Sequence, residues 1–453
     1  MHMETRALGY FAAKTIEELG QALRSHAITS RKLIEHGLSS IERLNARLNS
    51  FSSIDETGAL ESADRADAEF VSGVDRGPLH GIPVAIKDII NVAGQRTTSG
   101  SALFADRFAK RDAESVRALR EAGAVIVGKT VLHEFAYGAT GDRSVHGASR
   151  NPYDATRMSG GSSGGSAVAV ASGMVPLALG TDTAGSVRVP AALCGIVGYK
   201  PAYDAISVDG VYPLAASLDH VGLFTKTVED ARLSYEVFAG RMAVPSDRPA
   251  RTPRTGWVDA SAFGPIDRSI VDLSFGMLLD AGIEPEPVSL PNAEKLFEVL
   301  STIQASEAYA EHMDDVAQGA EVIDDEVLFR LKRGAGIFAW QYLRAGESRR
   351  RFRAEVASLF ETYDLLALPT VPMTAPKIGE RQLMVDGATV EVRSALLSLT
   401  SPWNLSGTPA LTVPSGMLHG LPTGLQLVAP NGREEFLFGA ARHIEQGRAG
   451  FSS

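Results

Sequence analysis

Disulfide bonding is closed to this chain, because its 453 residues include a single cysteine, Cys194. One thiol forms no internal bridge, so nothing calls for an oxidising compartment, and a cytoplasmic location is expected. An excess of basic charge is also missing. The sequence has 44 Lys and Arg against 54 Asp and Glu, a net charge of −10, and the cations are scattered among the acids. That leaves no electrostatic footprint for a nucleic-acid partner. Long apolar runs are absent too. The longest weakly polar stretch, Ser166 to Leu179, is broken by Ser172, Gly173 and Pro176, and it falls short of the roughly 20 residues that span a bilayer. The N-terminus, MHMETRALGYFAAKTIEELGQALRS, has no apolar segment between a basic start and a small-residue cleavage site, so it does not read as a signal peptide. Neither a membrane partner nor an exported protein is indicated.

What is present is ordinary globular composition, 44% hydrophobic and 22% charged. The length allows two or three domains or one large α/β unit. With no internal repeat and no low-complexity linker, one domain over 1–453 is favoured. Residues 15–49 place Ile16, Leu19 and Leu23, then Leu33, Ile34, Leu38, Ile41 and Leu44 at helical spacing. This predicts two helices joined near Ala27 to Ser30, with Thr29 or Ser30 capping the second. From Leu79 the run LHGIPVAIKDII reads as a strand, and DAESVRALREAGAVIVGKT as a helix followed by a buried strand, the alternation of an α/β fold. Residues 227–360 read as a charged, mostly helical cover. The runs YDLLALPTVPM, TPALTVPSG and PTGLQLVAP read as strands returning to a sheet.

Chemistry concentrates in Arg157 to Gly195, which is rich in Gly, Ser and Ala. The GGSSGG stretch at Gly160 to Gly165 is not a linker, since a small-residue helix and a strand follow it directly. It lacks the lysine of a phosphate-binding Walker loop. It satisfies G-x-S-x-G twice, with Ser162 or Ser163 central, but the turn-rich NPYDATRMS precedes it where a nucleophile elbow needs a strand. Twenty-four residues past Ser162 lies Ser186, in GTDTAGSVRVPAALCG, where a strand ends at Leu179 and a helix is expected to start near Ser186. Such a turn exposes backbone N–H groups from Thr183 to Ser186 that can hold an oxyanion. Ser186 reads either as a helix cap or as a nucleophile. Lys87, inside the apolar GIPVAIKDII, is expected to be buried. It either pairs with an acid such as Asp88 or serves as a base, for which burial must lower a pKa of about 10.4.

Together these segments resemble the amidase signature family. The likeness runs through LHGIPVAIKD, RNPYDATRMSGGSSGGSAVAVASG and GTDTAGSVRVPAALCG. It extends to GKTVLHEFAYG, KPAYDAISVDGVYPLAASLDHVGLFTKTVEDA, LLALPTVPMTAP and SPWNLSGTPALTVPSG. The resemblance implies an α/β fold with a central mixed sheet covered on both faces by helices. Its parts would be N-terminal helices at about 15–49, a catalytic core at about 75–230, a variable helical cover at about 230–360 and returning strands at about 361–445. It implies Ser186 as nucleophile, Ser162 as a cis-bonded relay serine and Lys87 as base. The backbone N–H groups of Thr183, Ala184, Gly185 and Ser186 would form an oxyanion hole. Tyr137, in EFAYG, falls where members line the acyl pocket and reads equally as a core tyrosine, and Gly161 falls where substrate binds. The implied activity is hydrolysis of a small-molecule amide through an acyl-enzyme, with no metal or other cofactor and with a homodimer as the expected assembly.

Three other functions fit the same segments: the glutaminase subunit of a tRNA-dependent amidotransferase, a hydrolase of allophanate-like urea derivatives, and a catalytically dead scaffold. Glutaminase subunits that resemble this chain carry a glutamine-like residue after the arginine of the nucleophile segment, whereas Val189 follows Arg188 here. Ala184, where many members have glycine, resembles the members that act on urea-derived amides. A scaffold would be expected to have lost Lys87, Ser162 or Ser186.

Overall fold

The apolar runs of the sequence become strands of one sheet. The protein is represented by a computed structural model that describes residues 8–239 and 252–449. In chain order the strands are β1 (Phe51–Ile54), β2 (Pro83–Lys87), β3 (Val125–Thr130), β4 (Leu177–Thr181), β5 (Val197–Lys200), β6 (Val221–Thr225), β7 (Thr255–Val258), β8 (Glu286–Val288), β9 (Leu365–Pro369), β10 (Gln382–Val385), β11 (Ala388–Glu391), β12 (Ala410–Leu418) and β13 (Leu421–Val428). Eleven form a single mixed sheet in the order β1-β3-β2-β4-β6-β5-β12-β13-β9-β7-β8, and β10 and β11 form a separate hairpin.

Successive side chains of a strand point to opposite faces, and here both faces are packed. On β2, Val84 and Ile86 enter one apolar cluster while Ala85 enters another. On β9, Leu365 and Ala367 point one way and Leu366 and Leu368 the other. Helices therefore cover the sheet on both sides, and strands buried on two faces read as continuous apolar runs. The N-terminal helices form as expected, over Ile16–Arg24 and Ser30–Leu48, and the Thr29 hydroxyl accepts the Lys32 N–H at 3.1 Å.

Two boundaries differ from expectation. The strand read as ending at Leu179 continues to Thr181, and the helix expected near Ser186 begins at Arg188. The helical cover also contains β7 and β8, parallel additions beyond β9 at the sheet edge. Strands of four and three residues are too short to leave a readable alternation. Among the described residues no helix is long and apolar enough to cross a membrane.

β2 lies between β3 and β4 and is parallel to both. The carboxyl ends of three neighbouring strands therefore open at one edge, the place where α/β sheets bind ligands. β2 ends there in Lys87 and β4 in Thr181.

Candidate active site

Lys87 is fully buried, and its Nζ donates to Ser162 Oγ at 2.7 Å and to Thr181 Oγ1 at 2.6 Å. Burial pushes its pKa down to about 7, against a smaller upward pull from Asp182 and Asp219. The adjacent Asp88 does not pair with it. Asp88 instead lies 3.1 Å from Lys129 Nζ and accepts the Thr98 hydroxyl at 2.5 Å. The ion-pair reading of Lys87 is thereby answered, since both of its side-chain partners are hydroxyls.

The two central serines of GGSSGG separate by role. Ser162 faces Lys87. Ser163 exchanges hydrogen bonds with the backbone of Thr181, its hydroxyl donating to the carbonyl at 3.1 Å and accepting the N–H at 3.2 Å. The Gly161–Ser162 peptide is cis, and the Ser162 carbonyl accepts the His133 N–H at 3.0 Å. Gly161 is required by crowding, because a Cβ there would lie 2.6 Å from the Gly141 nitrogen. The helix Gly164–Ala171 follows, buried at every residue, and its small side chains let it lie close against β4.

Beyond β4 the chain turns through Asp182 to Val187. Ser186 is not a helix cap, because the Asp182 carboxylate does that work, accepting the N–H groups of Val187 at 3.1 Å and Arg188 at 3.4 Å. The N–H groups of Thr183, Ala184, Gly185 and Ser186 have no acceptor among the described residues. This run of open donors is the arrangement suited to a developing negative charge. Gly185 sits at φ +139°, and a Cβ on it would come 2.1 Å from the Thr400 hydroxyl, which itself donates to the Ala184 carbonyl at 2.7 Å. Of the three sequence-derived residues only Ser186 keeps some exposure, 5%, against none for Lys87 and Ser162. The Ser163 N–H reaches the Ser186 carbonyl at 3.3 Å, so backbone joins the two serine segments. No hydrogen bond links the Ser162 and Ser186 hydroxyls among the described residues.

An interior network holds this turn. Arg188 and Asp182 are both fully buried and meet at 2.8 Å, and the guanidinium also donates to the Thr400 carbonyl, Gln426 and Asn404. Burial alone would raise the Asp182 pKa, but the charge and hydrogen bonds of Arg188 outweigh it and hold the carboxyl well below the usual range. Asp219 holds the other side, accepting the Thr183 hydroxyl at 2.5 Å and the N–H groups of Leu214 and Ala215 at 2.9 and 3.0 Å. Sequence reading missed Thr181, Asp182, Asp219 and Thr400. Asp182 and Arg188, six residues apart in an otherwise uncharged segment, were the available signal. Thr400 lies far off in sequence and gives none. Tyr137 is nearly buried, with the Arg393 guanidinium 5.6 Å over its ring and Arg330 donating to its carbonyl at 2.8 Å. Cys194 is buried and its Sγ donates to the Ser159 carbonyl at 3.3 Å.

A mixed sheet with open backbone donors and a buried amine of lowered pKa at the carboxyl ends of its central strands suits an amide-hydrolysing enzyme. Comparison with known proteins agrees. The amidase family model matches residues 32–438, and the chain belongs to that family. Among the glutamyl-tRNA(Gln) amidotransferase A subunits, that of Chromohalobacter salexigens is 35% identical to it over 96% of each chain. The AtzE component of the 1-carboxybiuret hydrolase of Pseudomonas sp. strain ADP is 34% identical, over 95% of this chain and 98% of that one. The solved structure of peptide amidase from Stenotrophomonas maltophilia superposes with a TM-score of 0.80 at 30% identity, covering 96% and 97% of the two chains.

Proposed function

We propose that this enzyme hydrolyses the amide bond of a small molecule through an acyl-enzyme on Ser186, with Ser162 as proton relay and Lys87 as base. The observation that carries this reading is the 2.7 Å contact between Ser162 and a lysine whose pKa burial has brought to about 7. Free lysine at pH 7 is neutral in only about one molecule in 2,500, whereas Lys87 is neutral in roughly half. Neutral Lys87 takes the Ser162 proton and Ser162 takes that of Ser186 as its oxygen attacks the amide carbonyl. The N–H groups of residues 183–186 receive the oxyanion. Return of the proton through Ser162 to the leaving nitrogen expels the amine, and water then repeats the sequence on the acyl-enzyme to release the acid.

The 35% identity to an amidotransferase A subunit supports a second reading, in which glutamine is the amide and ammonia passes to a partner. Hydrolysis by the isolated chain separates the two. A panel of acetamide, benzamide, anilides, allophanate and glutamine, run against wild type and Ser186→Ala, tests the proposal. Turnover of at least one amide that disappears in Ser186→Ala supports it, and activity surviving in that variant rejects it. Ammonia release from glutamine alone, dependent on added partner subunits, would move the assignment to the second reading.

A further inference from the structure

Two buried titratable groups, Lys200 and His220, take no part in the proton relay, yet both lie at the sheet edge where the oxyanion turn begins. β5 ends in Lys200, β6 starts directly after His220, and β4 ends directly before Asp182. These strands are neighbours, in the order β4-β6-β5. Lys200 Nζ donates to the Thr408 carbonyl at 2.7 Å and to the Pro201 carbonyl at 3.0 Å, and it lies 3.3 Å from His220 Nε2. Across the ring, His220 Nδ1 is 2.6 Å from the Leu218 carbonyl and 3.1 Å from the Asp182 carbonyl.

Hydrogen counting fixes the charge of this pair. Both contacts of Nδ1 are carbonyl oxygens, so that nitrogen carries a proton. The bonds to Thr408 and Pro201 use two hydrogens of the amine. The contact between the amine and Nε2 needs one more, because an uncharged lysine beside this imidazole would set one lone pair against another. Burial draws both groups towards their neutral forms, and the charge of Asp182 opposes it at each. The bonding pattern retains the extra proton, and the pair holds one positive charge.

That charge reaches one end of an oxyanion donor. The Asp182 carbonyl and the Thr183 N–H belong to a single peptide unit. The unit is trans, since the cis bond among the described residues is Gly161–Ser162, and in a planar trans unit the two groups point in opposite directions. Three donors converge on the carbonyl: His220 Nδ1, the His220 N–H at 3.2 Å and the Asn404 side-chain amide at 3.0 Å. They aim the Thr183 N–H the other way, where it has no acceptor among the described residues. Hydrogen bonds in a chain polarise one another, so a cation at the head of this line makes the N–H at its far end a stronger donor. The next carbonyl of the turn, that of Ala184, is held by the neutral hydroxyl of Thr400.

We propose that Lys200 is a positioning residue of the oxyanion turn: through the His220 imidazole it fixes and polarises the Asp182–Thr183 peptide, strengthening the Thr183 N–H as a donor to the oxyanion. The inference rests on the amide hydrolysis proposed above and assigns that reaction a further contributor.

One test needs no substrate. In full-length protein isotope-labelled at threonine nitrogen, the Thr183 amide proton should move upfield in Lys200→Met as its peptide loses polarisation, while that of Thr29, on a distant helix, stays in place. The second test compares an amide that the enzyme hydrolyses with the corresponding thioamide, whose sulfur accepts hydrogen bonds weakly. In Lys200→Met, kcat for the amide should fall at least about tenfold, a fraction of the loss expected for a donor removed outright, with KM little changed. The amide-to-thioamide ratio of kcat should fall with it. A lysine that only supported the fold would lower the active fraction and scale both substrates alike. His220→Leu should reproduce both effects with the lysine still present, and so reads the same line if Lys200→Met does not fold. His220→Gln, whose side-chain amide can accept from Lys200 and donate to Asp182, should keep most of the wild-type ratio. A Thr183 resonance unmoved by Lys200→Met and His220→Leu, or a kcat ratio equal to that of wild type in both, would overturn the assignment. An upfield shift in a protein that hydrolyses no amide would instead sink the amidase reading and leave the polarised peptide standing.

Discussion

Lys87 and Asp88 are neighbours in sequence but not partners in space: the carboxylate is taken by Lys129 at 3.1 Å, and the amine is left with two hydroxyls. A lysine salt-bridged to its neighbour would stay charged through neutral pH. By directing the two side chains to different partners, the end of β2 leaves the amine free to act as a base.

The first expectation concerns pH. The base is active when deprotonated, and burial has lowered its pKa to about 7, so kcat/KM should rise with pH through about 7 and then level. Initial rates on a neutral amide between pH 5 and 9 measure it. A limb rising only towards 10 would show an ordinary, charged lysine and remove Lys87 from its role.

Replacement of Lys87 separates activity from stability. A lysine held near pKa 7 favours the proton-free form, so the folded state binds fewer protons than the unfolded chain between about 7 and 10.4, and stability rises with pH across that window. Below it the lysine is a burden of about 5 kcal/mol. Lys87→Met should therefore lower turnover by at least about 1,000-fold while its thermal midpoint at pH 7 holds or rises. A variant that unfolds would indicate a structural lysine.

Gly185→Ala tests the oxyanion turn. The new methyl group would meet Thr400, and the φ of +139° is foreign to an L side chain. The turn must shift, moving the donors away from the charge. Loss of one such donor costs about 100- to 1,000-fold in kcat, and a comparable fall is expected with KM little changed. A fall confined to KM would place Gly185 in substrate binding instead.

How much of this was legible in the sequence depends on how local each signal is. Lys87 betrayed itself as a cation within an apolar run, and the interval between Ser162 and Ser186 survived folding as a pair of segments joined by backbone. The alternation of strand and helix from Leu79 onward was equally local. Ser186 could not be separated from a helix cap, because the capping carboxylate of Asp182 works from several residues upstream. Thr400 and Asn404 reach the same turn from more than two hundred residues away, and no periodicity announces a contact of that range. The short strands β7 and β8 were hidden for the opposite reason, being too brief to carry a pattern.

Asp182→Ala should strand the Arg188 guanidinium in the interior. Removing one partner of a buried ion pair costs about 3 to 5 kcal/mol, and here the N–H caps of Val187 and Arg188 go with it. Denaturant melts should show a loss of that size at pH 7. The difference between the two proteins should shrink in acid. The folded pKa of Asp182 lies below its unfolded value, so its contribution is full above about pH 4 and fades as pH falls towards the folded value. A pH-independent difference would mean that the charge of Asp182 is not what holds the turn.

Asp219 links the turn to the base by a separate route. Its carboxylate accepts the Thr183 hydroxyl and the N–H groups of Leu214 and Ala215. Burial pushes its pKa up to about 6, so it is mostly ionised where the enzyme is expected to work. In that form it raises the pKa of Lys87. Asp219→Asn removes the charge with little change of shape. Lys87 should then lose its proton more readily, and the acid limb of kcat/KM should move to lower pH. The plateau should fall as well, because an amide cannot accept all three hydrogen bonds and Thr183 is less firmly held. Stability moves the other way with pH. A carboxyl whose folded pKa is raised favours the fold most below about pH 4 and loses that contribution as pH rises through about 6, so the wild type should lose stability over this range relative to Asp219→Asn. Rate profiles and thermal melts across pH 4 to 9 test both limbs. If the acid limb moves to higher pH, the charge of Asp219 does not act on Lys87. If the limb stays in place while the plateau falls, the role of Asp219 is confined to holding Thr183.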